Sequence, residues 1–297
     1  MSPEAQAPVV VGVDGSSSSH AAIDLAARQA RLHHRPLRVV HAFEWPLTGV
    51  YLGPSPEGPE EGGLAADAER ILADGVSRAR QVGGEELPVD GEVITGATVP
   101  VLLRQSARAS QLVIGNRGLG GFAGLLLGSV AMQLTAHAPV PVLVARGQVA
   151  ADGPVVVGVD GSSHSRRALA AAFVEAAVRQ TTLLAVSAWY GRPALDTQDK
   201  LPLVYDAEDV SRVVAQQLAD VLAPVRAQHP DVPVRSEVRR ARPAKALLEV
   251  ATGAQLLVVG ARGRGGFTGL LLGSVSQSML SHSPCPVLVT RKASGTD

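Results

Sequence analysis

Two blocks of this sequence occur twice, and that repetition limits the architectures open to it. Residues 8–17 read PVVVGVDGSS, and residues 154–163 read PVVVGVDGSS again. Residues 115–130, GNRGLGGFAGLLLGSV, return at 260–275 as GARGRGGFTGLLLGSV, identical at 13 of 16 positions. The copies lie 146 residues apart for the first block and 145 for the second. A period this long is a duplicated domain; solenoid repeats run to roughly 20–50 residues. The 297-residue length agrees, being about twice the ~150-residue prior for one domain. The seam falls in the short polar segment 147–153, GQVAADG, so the expected domains are 1–147 and 148–297.

Each half alternates between two periodicities. Val9–Val13 is a β-branched run closed by Asp14-Gly15-Ser16, which is turn and N-cap chemistry. Residues 17–32 carry Ala22, Ile23, Ala26, Ala27 and Ala30 at helical spacing, with Arg and His at the end, where the helix dipole favours them. Further strands are expected at 37–42, 89–94, 111–114 and 141–144, and helices at 64–82, 99–107 and from Gly128 or Ser129 onward, with a Pro/Gly-rich loop over 46–63. The second half repeats this order from Val155, Ser163, Leu183, Asp206, Val232, Pro243, Leu256, Gly273 and Pro286. Runs such as VVVGV and LLVVG are apolar at successive positions, the mark of strands covered on both faces by helices. Five strands and four helices in alternation predict an α/β fold, an open doubly wound parallel sheet, present in two tandem copies.

Composition sets outer bounds. The chain is 46% hydrophobic and 18% charged, ample for a core, and with 3% aromatic residues that core must be aliphatic. Lys+Arg and Asp+Glu both number 27, a balance that argues against binding nucleic acid through bulk charge. A lone cysteine, Cys285, excludes an intrachain disulfide; it replaces Val140 of the first copy in an apolar run and reads as core. No apolar stretch reaches the ~18 residues of a membrane span, and residues 1–8 lack the pattern of a secretory signal. The expectation is a soluble cytoplasmic protein, bound to neither membrane nor nucleic acid.

In an open parallel sheet, ligands bind beyond the carboxyl ends of the strands where strand order reverses. Two loops per half qualify. One follows the first strand, with Gly12 and Asp14 in the first half and Gly158 and Asp160 in the second. The other follows the fourth strand and has the form G-x2-G-x9-G-S, at Gly115, Gly118, Gly128 and Ser129 and again at Gly260, Gly263, Gly273 and Ser274. Its glycines let main-chain amides approach a ligand, and it ends at a helix N-terminus, where unpaired N–H groups favour anions. No Asp or Glu occurs over 115–136 or 260–283, while Arg117 is matched by Arg262 and Arg264 adds a second cation. The alternative is that the glycines shape a tight loop and Ser129 caps a helix. Asp14 and Asp160 admit two readings, an Asx turn or a polar contact to a ligand. Ser16 and Ser162 read as helix caps, His137 and His282 as C-terminal caps, and Leu125–Leu127 as loop packing. The cluster Arg239, Arg240, Arg242 and Lys245 reads as a solvated basic edge, with phosphate contact as the alternative. No HExxH or paired-cysteine motif points to a metal.

At these residues the chain resembles the universal stress proteins, specifically the tandem-domain, nucleotide-binding kind common in actinobacteria. The resemblance spans both halves, through the twofold G-x2-G-x9-G-S motif, the VGVDGS openings and the closing PVPVLVAR and PCPVLVTR segments. It implies a flavodoxin- or Rossmann-like sheet of order 3-2-1-4-5 and ATP, with or without Mg2+, in each domain. Gly12, Asp14, Gly158 and Asp160 would line the nucleotide, and the backbone at Ala42 and Ala188 would face adenine. Gly115, Asn116, Arg117, Gly118, Leu119, Gly120 and Gly121 would hold phosphates and ribose, as would Gly260, Ala261, Arg262, Gly263, Arg264, Gly265 and Gly266. Gly128, Ser129 and Val130, with Gly273, Ser274 and Val275, would complete the cradle at the helix start. The resemblance also implies pairing through the last strand, giving an internal pseudo-dimer of the two domains and a homodimer of chains. The third-strand exits differ, Gly96-Ala97-Thr98 against Ala241-Arg242-Pro243, which leaves equal affinity of the two sites open.

The expected function is a regulatory ATP-binding protein of the stress response with little or no catalysis. The chain lacks a Walker GKS/T lysine, an SGGxDS loop and an HIGH signature. The alternatives are a slow ATPase, or an adaptor whose nucleotide sites stay empty.

Overall fold

The computed structural model describes residues 6–44, 63–119, 126–191, 206–264 and 271–291. The chain forms two compact units and passes from the first to the second between Arg146 and Gly147. Unit 1 runs β1 (Val9–Val13), α1 (Ser17–Leu32), β2 (Leu37–Phe43), α2 (Leu64–Gly83), β3 (Val89–Thr95), α3 (Thr98–Ser106), β4 (Gln111–Gly115), α4 (Ser129–His137) and β5 (Val142–Ala145). Unit 2 runs β6 (Val155–Gly158), α5 (Ser163–Val178), β7 (Leu183–Trp189), α6 (Ala207–Gln228), β8 (Val234–Arg240), α7 (Pro243–Val250), β9 (Leu256–Gly260), α8 (Ser274–His282) and β10 (Val287–Thr290).

The strands of unit 1 lie in the order β3-β2-β1-β4-β5 and those of unit 2 in the order β8-β7-β6-β9-β10. Every pairing within each of these sets is parallel. The expected α/β fold and its 3-2-1-4-5 order are therefore present in both units. Strand order reverses between β1 and β4, and between β6 and β9, so each unit has one crevice at its switch point.

The apolar runs sit where two-sided burial needs them. Val9, Val10 and Val11 of β1 and Leu112 and Val113 of β4 are buried, as are Val155–Val157 of β6 and Leu256–Val259 of β9. The edge strands β3 and β8 instead expose Asp90, Glu92 and Arg235, and Arg38 on β2 pairs with its register partner Asp90 at 2.8 Å. Two helices of unit 1 are tied by Arg78 of α2, whose Nε and Nη2 reach the carboxylate of Asp24 on α1 at 2.6 and 2.8 Å.

Element ends differ from the sequence expectation by a residue or two, for local reasons. β5 and β10 begin at Val142 and Val287, after Pro141 and Pro286, because proline has no N–H for the ladder; the carbonyls of both prolines still accept, from Leu112 and Leu257. β8 begins at Val234 because Val232 closes a turn onto the His229 carbonyl and Pro233 follows. Asp206 caps α6 through its side chain and stands outside it. Ser16 and Ser162 are the expected N-caps, accepting from Ser19 N at 3.1 Å and Ser165 N at 3.2 Å. His137 and His282 close α4 and α8, each with Nδ1 on the carbonyl four residues earlier. Cys285 is buried, and that burial pushes its thiol up to about 11 against the opposing hydrogen bonds from Ser283 and the Leu257 backbone.

Candidate functional site: a glycine-lined cleft in each unit

Both crevices are open cavities, about 500 Å³ in unit 1 and about 590 Å³ in unit 2. The β1–α1 turn forms one wall. Gly15 and Gly161 sit at φ +80° and +79°, the left-handed conformation that only glycine adopts without strain, and this lets the chain double back into the helix cap. Asp14 Oδ1 accepts from Ser16 N at 3.0 Å, and Asp160 Oδ1 accepts from Ser162 N at 2.9 Å, so each aspartate does make the Asx turn. The second oxygen reaches across the cleft: Asp14 Oδ2 accepts from Leu119 N at 3.0 Å and Asp160 Oδ2 from Arg264 N at 2.9 Å. One carboxylate thus shapes its own turn and clasps the glycine loop.

That clasp explains the second glycine of the motif. A Cβ on Gly118 or Gly263 would lie 2.5 Å from the Oδ2 of Asp14 or Asp160. The first glycine has a different reason: a Cβ on Gly115 would come within 2.9 Å of the Ser18 backbone, and one on Gly260 within 2.8 Å of the His164 backbone. Gly128 and Gly273 are N-caps of α4 and α8, and each donates its N–H to the carbonyl of Asn116 or Ala261 at 2.8 Å. Neither helix has a side-chain cap. Ser129 and Ser274 are the first helical residues rather than caps, so the first-turn amides face the cleft without a side-chain oxygen to satisfy them.

In unit 1 the cavity is lined by Gly12, Asp14, Ala42, Gly115, Arg117, Gly118, Leu119, Gly128, Ser129 and Val130. In unit 2 it is lined by Gly158, Asp160, Ala188, Gly260, Arg262, Gly263, Arg264, Gly273, Ser274 and Val275. Asn116 and Ala261, expected among the ligand contacts, are not lining residues. Asn116 turns its side chain to the Ser18 hydroxyl (2.8 Å), and Ala261 is buried behind the loop, its carbonyl taken by Gly273 N and the Ser276 hydroxyl. Gly120, Gly121, Gly265 and Gly266 lie outside the described residues.

Several lining residues had no motif to announce them. Val40 and Ile114 in unit 1, and Val186 and Val259 in unit 2, make the strand-side floor apolar. Thr98 and Leu102 of α3, and Pro243 and Leu247 of α7, close one end. In unit 2 the wall also includes Trp189 and an α6 face of Val214, Gln217, Leu218 and Val221. The α6 spacing is readable as an apolar helix face, though not as one turned to a cavity. Trp189 follows directly on Ala188 and is one of two tryptophans in the chain, the one signal that could have flagged it.

Burial and then Arg117 lower Arg146, and burial and then Arg262 lower Arg291. His164 is held below the usual imidazole range by burial, then by Arg262, Arg167 and Arg291, with Asp160 opposing. Burial pushes the Asp160 carboxyl up, but hydrogen bonds from Ser162, Ser165 and the Arg264 amide outweigh it and hold the group below the ordinary range. Among the described residues no group of three or more His, Cys, Asp or Glu is gathered as a metal site. No helix of the described residues is long and apolar enough to cross a membrane.

The universal stress protein family matches residues 7–146 and 153–291, one interval in each unit. The chain belongs to that family. A universal stress protein of Mycolicibacterium smegmatis is 38% identical over 294 residues, spanning 95% of this chain and 96% of its own length. Another from Mycobacterium tuberculosis H37Rv is 38% identical over 300 residues, spanning 98% and 99%. Among solved structures, a universal stress protein from Archaeoglobus fulgidus superposes with a TM-score of 0.69 over 97% of this chain and 99% of that one, at 20% identity, a likeness of fold.

Proposed function

We propose that each unit binds one adenine nucleotide, ATP, and that this universal stress protein is a regulator whose loops are ordered by the nucleotide, with little or no catalysis. The observation that carries the reading is a pair of opposed surfaces in each cleft. On one side the start of α4 or α8, which has no side-chain cap, and the glycine loop offer main-chain N–H groups beside an arginine, the chemistry of a phosphate cradle. On the other, Val40, Ala42 and Ile114, or Val186, Ala188 and Val259, offer an apolar floor next to strand-end backbone, which suits a purine. Volumes of about 500 and 590 Å³ fall within the roughly 300–1,000 Å³ of small-molecule sites.

Little catalysis is proposed because, among the described residues, the ionisable side chains lining the clefts are Asp14 and Arg117 in one, and Asp160, Arg262 and Arg264 in the other. Both oxygens of each aspartate already accept a main-chain N–H group, so each carboxylate is engaged in shaping the loops rather than placed to take a proton from an attacking water. A Mg2+ ion accompanying ATP would be held by the phosphates, and among the described lining residues Asp14 and Asp160 are the carboxylates that could assist. The nucleotide would act by favouring the loop arrangement that binds it, and so one association state over another.

Calorimetry on nucleotide-stripped protein tests this. Two ATP molecules per chain with no matching phosphate release is the expected result. Absence of heat together with absence of copurified nucleotide would overturn the reading in favour of an adaptor with empty sites. Steady turnover abolished by one side-chain change would make the protein an ATPase.

A further inference from the structure

The two clefts share a backbone and differ in what stands over the first turn. In unit 1 a Cβ built on Gly15 would meet the Ile71 side chain of α2, with Cγ1 at 3.3 Å. In unit 2 that place is taken by the Arg264 guanidinium, whose Cζ would lie 3.0 Å from a Cβ on Gly161. The residue of unit 1 at the loop position of Arg264 is Leu119, which is 71% exposed. Among the described residues, one cleft therefore presents one arginine and one aspartate, and the other presents two arginines and one aspartate. Among the described residues neither Arg262 nor Arg264 is in an ion pair. Behind the second cleft, Arg291 Nη1 is buried with no hydrogen-bond partner among the described residues. Its counterpart Arg146 donates Nη1 to the Leu126 carbonyl at 3.1 Å. Among the described residues, unit 2 thus places one more guanidinium at its cleft than unit 1 does.

We propose that the cleft of unit 2 selects its nucleotide by phosphate count, with Arg264 as the specificity-determining side chain, while the cleft of unit 1 binds adenine nucleotides almost irrespective of phosphate number. The inference rests on the adenine-nucleotide reading above and assigns the ligand class within it. A guanidinium at the mouth of a cleft meets the outer phosphates of a triphosphate with two parallel N–H donors, and a monophosphate has no outer phosphates to offer it. A leucine in the same loop position makes no such distinction. Each chain then carries one site sensitive to the ATP-to-AMP ratio and one that is not.

Single substitutions on the intact chain test this, each copying the residue that the other unit carries at the same loop position. Calorimetric titrations with ATP, ADP and AMP on the native protein should resolve one site that prefers ATP over AMP by about ten- to hundredfold and one with little preference. Arg264→Leu should abolish the preferring site and leave two indifferent ones, and Leu119→Arg should produce two that prefer ATP. Both positions are exposed, and circular dichroism on each variant separates a folding loss from a binding loss. Equal ATP-to-AMP preference at both native sites, or an Arg264→Leu protein that retains an ATP-preferring site, would overturn the inference while leaving nucleotide binding intact. No heat with any of the three nucleotides would overturn both readings together.

Discussion

At the scale of single residues, the motif glycines and the aspartates form one device. Asp160 holds the β6–α5 turn with one oxygen and the Arg264 amide with the other. Because these hydrogen bonds hold its carboxyl below the ordinary range, the group binds its proton less readily in the folded chain than in the unfolded one, where the value is about 3.9. Its stabilisation is therefore complete above about pH 4 and is lost as pH falls through the folded value. Asp160→Ala should cost unit 2 about 1.5–3 kcal/mol at pH 7, the range for hydrogen bonds to a charged group. In urea unfolding the gap between variant and native protein should narrow as the pH drops below about 4; a gap of constant size from pH 7 to pH 3 would show that the carboxylate's charge contributes nothing. The sequence offered an Asx turn and a ligand contact as rival roles for this residue. The turn is local, two residues long, and so legible from Asp-Gly-Ser. The clasp joins residues 104 apart in sequence, and no local pattern announces it.

At the scale of elements, legibility followed the range of the forces involved. The start of α1 was readable because Ser-Ser after Gly is capping chemistry, and β1, β4, β6 and β9 were readable because both faces are apolar. The α6 wall of the second cleft was not, because periodicity shows which helix face is buried and not what it is buried against. Helices α1 and α5 differ in a way the repeat also concealed. At the end of α5 the Glu175 side chain and that of the C-cap Arg179, 5% and 7% exposed, form an ion pair one turn apart, where α1 has Gln29 and its C-cap is His33. Arg179→Ala takes the cationic partner from the buried Glu175 carboxylate, so it should destabilise unit 2 by about 3–5 kcal/mol. The double variant Glu175→Gln, Arg179→His installs the residues that unit 1 carries at those positions and should stay within ~1 kcal/mol of native, since neutral replacements for buried pairs are often tolerated. Chemical denaturation of the three proteins decides it. A double variant as unstable as the single one would mean that α5 needs the charges themselves.

At the scale of the whole molecule, the chain carries its own reporter for one of its two units. Cys285 is its sole cysteine, lies 1% exposed just before β10, and has a thiol pushed up to about 11, so at neutral pH it is both covered and protonated. Alkylation then requires unit 2 to open, and its rate follows the open population when reclosing is fast. A ligand that binds only the closed form lowers that population by the factor 1 + [L]/Kd, which at a hundredfold excess over Kd is about a hundredfold in rate, or about 2.7 kcal/mol. ATP at that excess should slow alkylation of the native protein accordingly. Gly263→Val should remove the protection, because a Cβ there would lie 2.5 Å from Asp160 Oδ2 and displace the carboxylate that clasps the loop. Gly118→Val perturbs the same contact in unit 1 and should leave Cys285 protected, since the nucleotide guarding it sits in the other cleft. Protection lost equally in both variants would mean that ATP stabilises the two units as one cooperative body. Protection retained in both would move its binding away from the glycine loops altogether.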